Sequence, residues 1–380
     1  MKIVIAPDSF KESLTAAEAA RSIETGFAAV FPDANFVSLP IADGGEGTVN
    51  ALKEPMGAQM LSATVTDPLG RPVAAEFGLT KSHVAILEMA SASGLHLVLP
   101  ADRNPLVATT RGLGELVLAA LDAGARHFIV GIGGSATNDC GVGFLQALGV
   151  KFLDSEGCDL PAGAADLQRL VRIDRSGIDA RLASCTFDVA CDVDNPLCGP
   201  AGASAIFGPQ KGATPRMIQR LDEALRHVAE VIRRDFDISV ESLPGSGAAG
   251  GMGAAMVAFL NAKLKPGSAI VADALNIEQA IEGADLVITG EGCVDGQTSR
   301  GKAPAGIAQI ATRLGVPVIA LGGAVLADAG ELSKVGIHAA FPSVRRACSL
   351  DAALREAAVN LQMTARNVAA TVRLGMSIKV

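Results

Sequence analysis

Asp285-Leu286-Val287-Ile288-Thr289-Gly290-Glu291-Gly292 runs from an uninterrupted apolar stretch straight into glycine. A short apolar run ended by glycine reads as a strand covered on both faces, as in a parallel sheet. The same rhythm continues downstream. Ala305–Leu314 predicts a helix, Val316–Leu321 a second buried strand, Ile337–Phe341 a third, and Leu350–Val372 a long closing helix. It also opens the chain. Lys2–Ala6 predicts a strand, and Thr15–Val30 a helix with Thr15 as N-cap and Glu18 completing a capping box. Asn35–Ala42 is the next strand. Alternation of this kind builds a doubly wound parallel sheet.

The middle of the chain reads differently. Ala63–Thr66 and Val73–Leu79 flank a Pro-Leu-Gly turn and predict an antiparallel hairpin. Val84–Met89 and Arg126–Ile132 follow as strands, and Met217–Asp235 as an amphipathic helix. The fold class is therefore α/β with two domains. A Rossmann-like doubly wound domain forms from both chain ends, residues 1–60 and 285–380, and a mixed α/β domain is inserted at 61–284. A chain of this kind is expected to carry its active site in the cleft between the domains.

Composition narrows the function. The 380 residues carry a net charge of −8, and aromatic residues, all Phe, make up 3%. That argues against polyanion binding and leaves few base-stacking platforms, so no nucleic-acid partner is expected. Without any Tyr, a tyrosine acid or base is excluded. Seven scattered cysteines lacking any C-x-x-C fit reduced thiols. The N-terminal apolar run is too short for a signal peptide, and the longest uncharged run, Leu243–Ala262, is broken by Pro244 and rich in glycine. A cytoplasmic protein with no membrane partner is the expectation, with the oligomeric state left open.

Four glycine-rich segments follow predicted strands, where backbone N–H groups can meet an anion. Asp43-Gly44-Gly45-Glu46-Gly47-Thr48 offers carboxylates for a metal and for polyol hydroxyls. Asp8, Ser9 and Lys11 lie at the same expected sheet edge, Lys11 as a point charge for an anion. Gly131-Ile132-Gly133-Gly134-Ser135-Ala136-Thr137-Asn138-Asp139 has the outline of a dinucleotide fingerprint, with Asp154 following. Its hydroxyls and amides suit a phosphate loop better, placing Gly133, Gly134, Ser135, Thr137 and Asn138 against nucleotide. Gly290, Glu291, Gly292 and Asp295 continue to Gly296-Gln297-Thr298-Ser299-Arg300-Gly301-Lys302-Ala303. This is a near-miss of a P-loop: Ala303 replaces the Mg²⁺-binding hydroxyl, while Thr298 and Lys302 remain for phosphate. Gly245–Gly253 is the fourth segment. Asp192-Val193-Asp194-Asn195 ends another apolar run, and Glu88 and Arg103 are further substrate contacts.

Carboxylates beside glycine loops, with lysines as clamps, suit phosphoryl transfer, in which the protein positions reactants and neutralises charge. The candidate Mg²⁺ ligands are Asp43, Glu46, Asp192, Glu291 and Asp295. Either Asp192 or Asp295 serves as base, and Lys302 or Lys11 as clamp. Ile3–Leu14, Pro40–Thr48, Gly131–Asp139, Phe207–Ala213, and Thr289–Gly292 with Asp295–Lys302 closely resemble the corresponding stretches of bacterial glycerate kinases of the glycerate 2-kinase type. The resemblance covers essentially the whole chain. It implies ATP-dependent phosphorylation of D-glycerate, with 2-phosphoglycerate as the expected product and Mg²⁺ as cofactor. It implies the same two-domain arrangement. The alternative, from the Gly131–Ala136 outline, is a nicotinamide-dependent oxidoreductase acting on glycerate or tartronate semialdehyde.

Overall fold

In the computed structural model of the chain, β1 (Lys2–Pro7) is buried from Ile3 onward, and β2 (Asn35–Ser38) pairs parallel to it. The residues described are 1–10, 12–41, 52, 55–296, 298 and 303–378. Helix Ala16–Ala28 connects the two strands. Thr15 caps it, and the Glu18 side chain returns a bond to the Thr15 N–H, the capping box expected from sequence. Ile23 and Phe27 of this helix pack on Ile3 and Ile5.

Next come β3 (Gln59–Thr66) and β4 (Pro72–Leu79), the expected antiparallel hairpin. β5 (Val84–Glu88) pairs antiparallel to β4, and β6 (His127–Gly131) pairs parallel to β5. β7 (Lys151–Leu153) and β8 (Arg172–Asp174) form a small antiparallel sheet of their own. β9 (Thr186–Ala190) and β10 (Lys263–Lys265) complete a six-stranded sheet in the order β10-β9-β6-β5-β4-β3. Phe128 stacks on Phe187 across adjacent strands, with ring centroids 4.6 Å apart. Helix Pro215–Phe236 buries Leu221, Leu225, Val228 and Ile232 in the same core.

β11 (Leu286–Val294), β12 (Val318–Val325) and β13 (Ala339–Pro342) then join β1 and β2 in a parallel sheet ordered β13-β12-β11-β1-β2. The chain forms two compact units, residues 1–43 with 271–380, and residues 44–270. The boundaries read from sequence, 60/61 and 284/285, lie further along the chain. The long closing helix is two helices, Leu350–Arg355 and Ala357–Ser377. No helix among the described residues is long and apolar enough to cross a membrane.

The larger difference concerns Gly290 and Gly292. They were expected in a loop after the strand, but β11 continues through both and pairs Gly290 with Leu321 and Glu291 with Gly322. A side chain at Gly290 would collide with the Leu321 carbonyl. Glycine here admits a neighbouring strand.

Gly26 admits a neighbouring helix in the same way. A Cβ there would strike the Gln362 carbonyl and come within 2.7 Å of the Ala365 Cβ. Alanine is intrinsically the better helix former, by about 1 kcal/mol. Overpacking costs about 1–3 kcal/mol and outweighs that gain. Gly26→Ala is therefore expected to lower the urea midpoint followed by circular dichroism. A raised midpoint would mean the two helices separate at no cost.

Candidate active site

In the 44–270 unit, the carboxyl ends of four parallel strands fall in register. Glu88 pairs with Gly131, Gly131 with Ala190, and Ala190 with Lys265. Ligands of open α/β sheets bind beyond this edge. A cavity of about 200 Å³ opens there, lined by Gly133, Gly134, Ser135, Asp192, Phe207 and Lys211 among others. The Gly267 N–H, at the start of helix Gly267–Ala274, donates to Asp192 Oδ1 at 2.9 Å and orients the carboxylate.

Lys211 is 2% exposed. Helix Ala203–Phe207 and the turn Pro209–Lys211 deliver it, and its Nζ donates to Ser135 Oγ at 2.9 Å and to the Thr137 carbonyl at 2.7 Å. Burial pulls its ammonium down to about 7, and the charge of Asp139 pulls the other way. Asp139 is fully buried behind the same loop. It accepts from the Thr110 N–H and hydroxyl at 3.0 and 2.8 Å, and from the Gly141 and Gly143 N–H groups at 3.2 and 3.3 Å. Burial pushes its carboxyl up against the pull of those donors.

The loop is also strained. Cys140 and Ala249 hold φ of 55° and 52°, left-handed values that cost a non-glycine residue about 1–2 kcal/mol each. The Cys140 N–H donates to the Gly250 carbonyl at 3.0 Å, tying the two segments together. Thr137 Oγ1 and Asn138 Oδ1 are buried without a hydrogen-bond partner among the described residues. Stored strain and unmet polar groups concentrate at functional sites.

In the other unit the strand order reverses between β1 and β11, the switch point of a doubly wound sheet. Asp8 and Glu291 follow the paired residues Pro7 and Gly290 at that point. The Thr298 hydroxyl donates to Glu291 Oε1 at 2.6 Å and accepts from the Asp295 N–H at 3.0 Å. Thr298 thus holds Glu291 and the Asp295 backbone in one turn. Among the described residues no group of three or more His, Cys, Asp or Glu side chains forms a metal cage. Mg²⁺ is commonly held by one or two carboxylates plus substrate phosphates, and Glu291 with Asp295 fits that mode.

The chain matches the Glycerate kinase family over residues 3–373. It is 52% identical to the "Glycerate 2-kinase" of Escherichia coli K12 over 99% of both chains. It is 49% identical to the "Glycerate kinase" of Bacillus subtilis 168, over 100% of this chain and 99% of the relative. The chain belongs to the glycerate kinase family. A solved structure from Salmonella typhimurium LT2, a candidate glycerate kinase 2, superposes with a TM-score of 0.91 at 52% identity, covering 100% of both chains.

Within this glycerate kinase family member, the structure gathers Gly133, Gly134, Ser135 and Asp192 around one cavity. Glu88 ends β5 at the same sheet edge. Arg103 donates from Nη1 to the Gln210 carbonyl at 3.3 Å, beneath the turn that carries Lys211. Asp8, Ser9, Glu291, Asp295 and Thr298 belong to the other unit. Lys11, Asp43, Gly44, Gly45, Glu46 and Lys302 lie outside the described residues. Asp154, the acid of the dinucleotide outline, follows β7, which pairs with β8 and not beside β6. Its carboxylate accepts from the Glu156 and Cys158 N–H groups and pairs with Arg169. Lys211 was not among the expected site residues. Its frame, Gly208-Pro209-Gln210-Lys211-Gly212, has the composition of a surface turn. The available signal was its place inside Phe207–Ala213, one of the stretches that carries the family resemblance.

Proposed function

We propose that the chain is a glycerate kinase that transfers the γ-phosphoryl group of ATP to the 2-hydroxyl of D-glycerate, giving 2-phosphoglycerate. The observation that carries this reading is a carboxylate and a buried cation lining one small cavity at a glycine-rich sheet edge. Family membership supports the reaction class, and the E. coli relative's name supports the 2-position. Asp192 accepts the proton of the glycerate 2-hydroxyl, and that hydroxyl's oxygen forms the new bond to the γ-phosphorus as the bond to ADP breaks. Glu291 and Asp295 would hold Mg²⁺, which would supply positive charge to neutralise the phosphates. Lys11 or Lys302 serves as phosphate clamp.

The nicotinamide reading is the weaker one, because Asp154 is engaged in its own turn. A coupled assay of ADP release, with phosphorus NMR of the product, tests the choice. D-glycerate should drive ADP release, and the product resonance should split into a doublet from the single proton at C2. A triplet would move the phosphate to the 3-hydroxyl. Saturable NADH binding without ATP turnover would overturn the kinase.

A further inference from the structure

We propose that Lys211 is the carboxylate-binding residue of the cavity, with Ser135 as its co-donor, and that the ligand it selects is a short hydroxy acid. The proposal rests on the glycerate kinase reading for the identity of that acid. Its ground is the geometry around Nζ. An ammonium has three N–H donors. Two end on Ser135 Oγ and the Thr137 carbonyl, leaving one for a ligand. Ser135 Oγ accepts from Lys211, so its own hydroxyl proton is directed elsewhere, and Ser135 also lines the cavity. A carboxylate has two oxygens for these two donors.

The charge count points the same way. Lys211 is 2% exposed, and no carboxylate among the described residues lies within ion-pair distance of it. Buried charges are normally paired. The nearest buried acid, Asp139, has its oxygens engaged by four donors. An incoming anion supplies the missing counter-charge. The cavity, about 200 Å³, is smaller than the ~300–1,000 Å³ typical of drug-sized ligands, which favours a few-carbon acid over a nucleoside triphosphate. Asp192 on the same lining then addresses the hydroxyl of that acid.

A pH dependence follows. Burial lowers the free ammonium to about 7. A bound carboxylate favours the charged form and raises it again. Between those values the complex holds a proton that the free protein lacks. Affinity is therefore flat below about pH 7 and falls up to tenfold per pH unit above it. The other ionisable groups around Lys211 are Asp139 behind the loop, Asp192 and Cys191 on the cavity lining, and Arg103 beneath the turn.

The test is calorimetric titration of the full chain with D-glycerate and with its neutral amide, D-glyceramide, beside the coupled assay. Wild type should bind glycerate about 10–100-fold more tightly than the amide at about pH 6.5, with the ratio shrinking towards pH 9. Lys211→Met should lose that discrimination while the KM for ATP stays within about twofold. Equal binding of acid and amide by wild type would overturn the proposal. So would discrimination that survives in Lys211→Met, or a variant whose main change is a raised KM for ATP, which would assign Lys211 to nucleotide phosphate. If Lys211→Met does not fold, the wild-type ratio and its pH profile still decide. Pronounced preference for the acid without any ATP turnover would overturn the kinase reading and leave the carboxylate site standing.

Discussion

Asp192→Asn is expected to lower kcat with MgATP and D-glycerate by about 10²–10⁴-fold, the usual contribution of a positioned general base. Asparagine keeps the shape of the side chain and can still accept from the Gly267 N–H, now 2.9 Å from Asp192 Oδ1. It cannot take the proton of the attacking hydroxyl. The loss should therefore fall on kcat and leave the KM for glycerate near its wild-type value. Asp295→Asn is the informative comparison. Asp295 sits in the turn with Glu291 and Thr298, and the metal-ligand role proposed for it predicts a raised Mg²⁺ requirement. Measuring kcat against Mg²⁺ concentration in both variants separates the roles. If Asp192→Asn retains near-normal kcat while Asp295→Asn collapses at saturating Mg²⁺, the base is Asp295.

The reason sequence leaves that choice open is physical. Each aspartate follows an apolar run, and local pattern treats the two alike. Only packing shows that Asp192 shares a cavity with a glycine loop and a buried lysine. Features written locally were legible. The Thr15–Glu18 capping box needs a span of four residues and was read correctly. The hairpin around the Pro-Leu-Gly turn was equally local. Strands β1, β11 and β12 were found because both faces are buried and their apolar runs are continuous.

What escaped depends on distant partners. Gly290 looked like the start of an anion loop because glycine after an apolar run usually ends the strand. The approach of Leu321 on β12 makes it part of the strand instead. Lys211 drew no site role from the sequence, because a lysine in a glycine-proline turn is usually exposed. Its burial is created by Ser135 and Thr137, far away in the chain, and no local window contains both sides of that contact.

Asp139→Ala is expected to destabilise the protein by about 3 kcal/mol or more, the second large effect. Asp139 is buried and accepts four hydrogen bonds from Thr110, Gly141 and Gly143. Removing the carboxylate strands those donors in a dry interior, at about 1–3 kcal/mol for each left unmet. The two longer bonds, from Gly141 and Gly143, contribute less, so the Thr110 pair sets the floor. Thr110 Oγ1 also accepts from the Phe144 N–H at 2.9 Å, so the loss spreads into the start of helix Val142–Ala147. Asp139→Asn should fall between wild type and alanine, because one oxygen remains to accept while the amide N–H group faces donors. The chain has no Trp or Tyr, so unfolding is best followed by circular dichroism in urea. The midpoint should drop with the slope unchanged, which assigns the loss to the native state. The same loop supplies both partners of Lys211, so Asp139→Asn should also weaken glycerate binding before it alters the KM for ATP. A variant that loses stability but keeps full glycerate affinity would show that the loop holds Lys211 without help from Asp139.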